Sequence, residues 1–133
     1  MLSRLADHLF WMSRYIERAE NTARLLDVQH QSSMLPGGHD LVTESWRALL
    51  TLSELEDRYW ASLDRLSAEG VLTFMVADPS NPSSIVSCLR SARENARAVR
   101  VVLAPDLWEA VNSSWHHWYE QLQALCVCRD ICR

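Results

Sequence analysis

The sequence contains no lysine, and all thirteen of its basic residues are arginine. Without lysine, the chain cannot form a Schiff base with a substrate carbonyl, and it cannot bind a nucleotide through a phosphate-loop lysine. A genome rich in G and C, which favours arginine codons, accounts for this bias without a functional cause. Long apolar runs are also absent, since none approaches the roughly 20 residues that cross a bilayer.

Further absences narrow the class of protein. The N-terminus carries charged residues inside its apolar pattern and has no small-residue cleavage site, so we expect no secretory signal and a cytoplasmic location. The sequence lacks a glycine-rich phosphate loop, a His-Glu-x-x-His motif, a nucleophile elbow and the Glu-x-x-His pairs of di-iron bundles. A net charge of −4 argues against a nucleic-acid partner. We therefore expect no cofactor, no nucleic acid and no membrane insertion.

Three of the four cysteines, Cys126, Cys128 and Cys132, are crowded at the end of the chain. A zinc site prefers gaps of two to four residues within a ligand pair, and the single residue between Cys126 and Cys128 fits this poorly. These cysteines are therefore weak metal candidates, and we expect no metal. We predict one helical domain over residues 1–125, followed by a cysteine-rich tail over residues 126–133.

Apolar periodicity predicts a long first helix. From Leu2 to Leu26 apolar residues recur at alternating three- and four-residue steps, and Ser3 fits the N-cap position. The Pro-Gly-Gly sequence at residues 36–38 indicates a loop. Asp40 then fits the N-cap of a second helix that runs to about Leu52.

The later elements are also read as helices. Residues 71–76 form a short apolar run that fits a strand or a buried helix, and we choose helix because a single strand has no partner here. Asn81 as N-cap and Pro82 as first helical residue predict another helix, whose apolar pattern reaches Leu103. Pro105 begins the last one. The sequence thus predicts an all-α bundle of five or six mostly antiparallel helices.

Two helical segments, residues 14–27 and residues 90–100, share arginine, glutamate and asparagine at helical spacing, which we interpret as a polar seam between helices. On a helical wheel Glu20 falls inside the predicted apolar stripe of the first helix, Glu17 and Arg24 border it on one side, and Asn21 lies just beyond. Arg18 points nearly opposite. The residues of the predicted seam are Glu17, Arg18, Glu20, Asn21, Arg24, Arg93, Glu94, Asn95, Arg97 and Arg100.

A carboxylate at a core-facing edge is costly unless it is paired, and arginine is its usual partner. We therefore expect Glu17 or Glu20 to meet an arginine of the second segment across the bundle. In one interpretation the network fixes helix register, and replacing Glu20 or Arg97 by alanine costs roughly 3 kcal/mol. In the other, Arg93, Arg97 and Arg100 hold a phosphate or carboxylate while a glutamate positions a cation or amine. Both interpretations stay open, because structural ion networks and anion sites look alike in sequence.

Residues 13–27 resemble the alpha-E family, a group of bacterial all-helical domains named for a Glu-Arg motif, which Glu17-Arg18 matches. A second signature of the family is similar to residues 81–85, 92–100 and 108–112. Within it the matching residues are Arg93, Glu94, Asn95 and Arg97.

The resemblance implies a functional context. Members of the family occur beside, or fused to, circularly permuted ATP-grasp ligases and transglutaminase-like proteins. This implies a non-catalytic accessory or scaffold role in a bacterial peptide-ligation or peptide-modification system, with one of those proteins as partner. It also implies further helices beyond residue 133, so we expect an incomplete domain whose uncovered apolar surface favours homo-oligomers. The alternative is an enzyme or small-ligand-binding domain whose Glu/Arg seam binds an anionic substrate.

Overall fold

The computed structural model describes residues 2–36 and 38–131, with side chains described through Ala124. This part of the chain forms six helices and no strand, which confirms the predicted all-α helical bundle. The helices are α1 (Leu2–Ser33), α2 (His39–Leu52), α3 (Glu56–Ser62), α4 (Ala68–Val76), α5 (Ile85–Ala98) and α6 (Pro105–Ile131). None of these helices combines the length and the apolar character that crossing a bilayer requires.

The central pair of the bundle is α1 and α5, which run antiparallel. His8 near the start of α1 lies beside Asn95 near the end of α5, with 2.9 Å between His8 Nδ1 and Asn95 Oδ1. At the other end of the pair, Leu26 of α1 and Ile85 of α5 belong to the same apolar cluster. The last helix, α6, packs chiefly on α5.

The three short helices α2, α3 and α4 close one end of the α1–α5 pair and supply most of the core. Trp46, Tyr59 and Phe74, one from each short helix, are almost completely buried. The Tyr59 and Phe74 rings meet edge to face, with centroids 5.4 Å apart. The hydrophobic core therefore lies toward the C-terminal half of α1 and the N-terminal half of α5, and it positions the loops that join the short helices.

The helix ends correct several sequence-based predictions. Ser3 lies inside α1, and Gly38 rather than Asp40 is the N-cap of α2. Ser84, not Asn81, caps α5, because the Ser84 hydroxyl accepts the Ser87 backbone N–H. That helix ends at Ala98, before Leu103. The helical assignment of residues 71–76 and the start of α6 at Pro105 are confirmed.

Candidate functional site

The Glu-Arg motif opens onto a cleft of about 310 Å³ between α1 and the loops of the short helices. Its walls come from α1, the α2–α3 junction, α4 and the α4–α5 loop. The residues that line this Glu-Arg cleft are Arg14, Glu17, Arg18, Asn21, Thr22, Leu25, Ser53, Leu55, Met75 and Ser83. Three predicted seam residues, Glu17, Arg18 and Asn21, are therefore brought together here.

The charges in the cleft do not cancel. Arg14 donates to Glu17, with 2.7 Å between Arg14 Nη1 and Glu17 Oε2, so these two neutralise each other. Arg18 has no carboxylate partner within the described part of the chain. Its guanidinium carbon lies 5.8 Å from the centre of the Tyr15 ring, a cation–π arrangement that orients the group. The cleft therefore carries one uncompensated positive charge.

The charge of Arg18 also acts on the neighbouring α5 helix. Burial raises the pKa of the Cys88 thiol, and the positive charge of Arg18 lowers it in part. Cys88 lies in the first turns of α5, next to the loop that carries Ser83 into the cleft. The contact between His8 and Asn95 in the antiparallel α1–α5 pair likewise places Arg18 opposite the N-terminal part of α5.

The α2–α3 junction places Ser53 and Leu55 in the cleft through a Schellman motif. The Glu54 N–H bonds to the Thr51 carbonyl and the Leu55 N–H to the Leu50 carbonyl, as this helix ending requires. Glu54 takes the left-handed conformation there, with φ 56°. Leu55 and Leu50 are both buried in the core, which anchors this wall of the cleft.

Asn81 holds the α4–α5 loop so that Ser83 faces the cleft. Fully buried, its side-chain amide donates to the Phe74 carbonyl at 3.1 Å, near the end of α4. The side-chain oxygen of Asn81, Oδ1, accepts the Ser83 backbone N–H at 3.0 Å. The prediction of Asn81 as a helix cap is thus wrong, because the side chain bonds back to α4. This loop is also how the second sequence signature meets the Glu-Arg motif.

The prediction that Glu20 faces the core is wrong. Its side chain is 55% exposed and pairs with Arg24 one turn later on the same helix, outside the cleft. The buried stripe of α1 contains Met12, Ala19, Thr22 and Leu26. Compared with the predicted stripe it is rotated by roughly 60°, toward Thr22 and away from Glu20. The same rotation brings Arg18, predicted to face away from the bundle, to the edge of the packed face.

The predicted ion pair across the bundle is also wrong. Arg93 donates to Asn112 of α6 at 2.8 Å and lies 3.5 Å from Glu94, and Arg97 lies 3.7 Å from Glu94. Arg100 is exposed beyond the end of α5. The register explains this, because α1 and α5 run antiparallel with His8 beside Asn95, so Arg18, ten residues after His8, lies opposite the start of α5 and not opposite Arg93. Residues 90–100 instead link helices through Asn95, which contacts the His8 ring of α1, and through Arg93, which contacts the Asn112 amide of α6.

Among the residues with described side chains, no group of three or more His, Cys, Asp or Glu is arranged to hold a metal ion. The side chains of Cys126 and Cys128, and all of Cys132, lie outside the described part, as do the other side chains of the predicted tail. What the described site offers is one unpaired guanidinium, neutral polar groups and an apolar floor, which suits binding of an anionic group.

Comparison with known proteins shows that the chain belongs to a family of helical domains. Residues 1–131 match the model of a family named Alpha-E, described as a predicted alpha-helical domain with a conserved ER motif. The only Glu-Arg dipeptide of the sequence is Glu17-Arg18, so this motif is the one at the cleft. An uncharacterised protein of Mycobacterium bovis and two of Mycobacterium tuberculosis are each 32% identical over 117 residues. The match covers 79% of this chain but 13% of each relative. No solved structure matches.

Proposed function

Because this chain belongs to the Alpha-E family, we propose that it is a non-catalytic accessory module of a bacterial peptide-ligation or peptide-modification system. Its partner in this proposal is the ATP-grasp ligase or the transglutaminase-like protein that the family resemblance implies. The mycobacterial relatives, which are much longer than the matched segment, support a module that works within a larger assembly.

The observation that carries this proposal is an apolar surface at the end of the bundle opposite the core. A groove of about 430 Å³, here called the valine groove, lies between the start of α1 and the segment after α5. Two of the side chains that line the groove, Val101 and Leu2, are 93% and 82% exposed. The groove is lined by Leu2, Arg4, Leu5, His8, Ala98, Val99, Val101 and Val102. Clustered exposed apolar side chains of this kind mark interaction sites.

A binding assay with the ATP-grasp ligase of the same genome tests the proposal. We expect the wild-type chain to retain the ligase and Val101→Asp to weaken binding about tenfold or more, because the charge must be desolvated in the interface. Leu52→Asp is the matched control, since Leu52 is equally apolar, 82% exposed and outside the groove. Retention of the ligase by Val101→Asp and Leu52→Asp alike contradicts the proposal. Light scattering of the chain alone shows whether the same groove binds a second copy.

The Glu-Arg cleft favours a second candidate function, the binding of a small anionic ligand. The specific observation is Arg18, which projects into the cleft without a carboxylate partner in the described part of the chain. A ligand that binds only the folded chain raises its melting temperature as its concentration increases. We expect such a rise in a panel of phosphates, nucleotides and short acidic peptides, and its loss in Arg18→Gln. A flat response across the panel contradicts this candidate.

A further inference from the structure

We propose that the Glu-Arg cleft binds the C-terminal residue of a peptide, with the terminal carboxylate at Arg18. This inference names the ligand of the second candidate function and rests on it, whereas it is independent of docking at the valine groove. Three features of the cleft carry it, namely its charge, its free polar groups and its apolar floor.

The charge of the cleft fits a monoanion. Arg14 and Glu17 neutralise each other, so Arg18 alone remains to bind an anion. Its planar guanidinium matches a carboxylate through two parallel hydrogen bonds, and the Tyr15 ring beside it limits its orientations. A phosphate dianion brings two negative charges, and the cleft offers one positive charge without a partner. This charge balance favours a carboxylate over phosphate.

Free polar groups in the cleft fit the backbone next to that carboxylate. Glu17 bonds Arg14 through Oε2, which leaves Oε1 to accept an N–H from a ligand. The side chains of Asn21, Ser53 and Ser83 bond no other group in the described part of the chain, and all three line the cleft. The last residue of a peptide presents a carboxylate and an amide N–H on either side of one Cα atom. This pair of groups matches an arginine and a carboxylate that are adjacent on one helix.

The floor and the size of the cleft fit one residue of a peptide and part of the next. Leu25, Leu55 and Met75 supply an apolar surface below the polar rim, and two of them belong to the buried core. The volume of about 310 Å³ is at the lower end of the range for ligand sites. A medium-sized apolar side chain on the terminal residue is therefore the best match.

Calorimetric titration with N-acetyl-alanyl-alanyl-leucine tests the inference against its C-terminal amide and against inorganic phosphate. We expect saturable binding of the free acid and at least about tenfold weaker binding of the amide, because the amide lacks the charge that Arg18 binds. Arg18→Gln should weaken binding of the acid about tenfold or more. Arg24→Gln, an exposed arginine of the same helix outside the cleft, should leave it unchanged.

Glu17→Gln provides a second readout, because it leaves Arg14 without its carboxylate partner and so gives the cleft a second uncompensated positive charge. We expect phosphate to bind this variant more tightly than it binds the wild type. Melting temperatures of all variants establish that they fold. Equal affinity for acid and amide overturns the inference, as does tighter binding of phosphate than of the acid to the wild type, although the latter leaves the anion-binding candidate standing. Absence of binding by both acid and phosphate overturns the inference and that candidate together.

Discussion

Arg18 shows how one residue acquires a role from the packing of its neighbours. The sequence pattern counts Ala23 as buried and Thr22 as polar, but in the structure Thr22 is buried and Ala23 is exposed. A threonine carries a methyl group beside its hydroxyl and can pack on an apolar face, so polarity alone misplaces it. The buried stripe of α1 therefore lies closer to Arg18 than the sequence predicts. The Glu-Arg motif could be found from the sequence, whereas the cleft that it lines could not.

The ion pairs of Glu20 and Arg97 are exposed, which lowers the loss of stability expected when either residue is replaced. We now expect Glu20→Ala and Arg97→Ala each to change the free energy of unfolding by less than about 0.5 kcal/mol, because both residues pair within their own helix in solvent. Urea denaturation measures this directly. A loss of several kcal/mol in either variant contradicts the pairing and restores the buried seam.

Asn81 is a fully buried polar residue whose side chain holds the α4–α5 loop against the end of α4. We expect Asn81→Ala to destabilise the chain by about 2 kcal/mol, because it leaves the buried Phe74 carbonyl and the partly buried Ser83 N–H without this partner. Asn21→Ala is the control, an exposed asparagine whose loss should cost less than about 0.5 kcal/mol. Equal urea midpoints for the two variants contradict this assignment.

At the scale of elements, α2 is followed by one residue in a strained backbone conformation, Glu54, which a glycine would relieve. Glu54 holds the left-handed conformation that costs a non-glycine residue about 1 kcal/mol, at the position where helices most often have glycine. We expect Glu54→Gly to raise the free energy of unfolding by about 1 kcal/mol. Glu44→Gly, in the interior of the same helix, should lower it by a similar amount. Loss of stability in both variants is inconsistent with the Schellman motif.

The junction between α2 and α3 also makes stability depend on pH. The Thr51 hydroxyl and then the Arg47 guanidinium hydrogen-bond the Glu56 carboxylate, which lowers the pKa of Glu56 below its ordinary value of 4.5. The folded state therefore gains stability from ionised Glu56 above that pH and loses it as the pH falls below 4.5.

Urea denaturation between pH 7 and pH 3 checks this dependence. Wild type should be more stable than Glu56→Gln at neutral pH, and the difference should shrink in the acid range. Thr51→Val removes the largest cause of the lowered pKa and should shrink the same difference. Parallel curves for wild type and Glu56→Gln at all pH values exclude this role for Glu56.

Local signals predicted where elements exist better than where they end. Pro105 starts α6 as expected because its fixed φ and missing N–H suit the first helical turn. The Asn81-Pro82 pair carries a similar signal, but the helix start predicted there is wrong. The buried Asn81 side chain bonds the α4 backbone and does not cap α5. Ser84, the true cap, is one of two adjacent serines, and only the tertiary position of Ser83 in the cleft distinguishes them.

For the whole molecule, unequal packing predicts unequal stability of the helices. The outer helix α6 is tied to α5 through the Arg93–Asn112 hydrogen bond, whereas α1 and α5 are packed along most of their shared length. We expect backbone amides of α6 to exchange hydrogen faster than those of α5. Asn112→Ala should accelerate exchange in α6 about tenfold and leave the α1–α5 pair unchanged. Uniform acceleration in all helices contradicts an independently opening α6.

Sequence periodicity determined the all-α class of the molecule, but not which polar groups meet. Helix type follows from spacing within one segment. The cleft depends on the register of α5 against α1 and on a loop held by Asn81, and both are set by packing between distant segments. This is why the predicted partners of Glu17 and Arg93 were wrong while the helices that carry them were predicted.

The cleft is assembled from segments that are widely separated along the chain, from Arg14 in α1 to Ser83 before α5. Its walls meet only after the intervening short helices have docked, because closing so long a loop precedes the contacts that reward it. A ligand of this cleft therefore binds only chains in which α1 and the loops of the short helices are packed together, and its affinity reports on that packing.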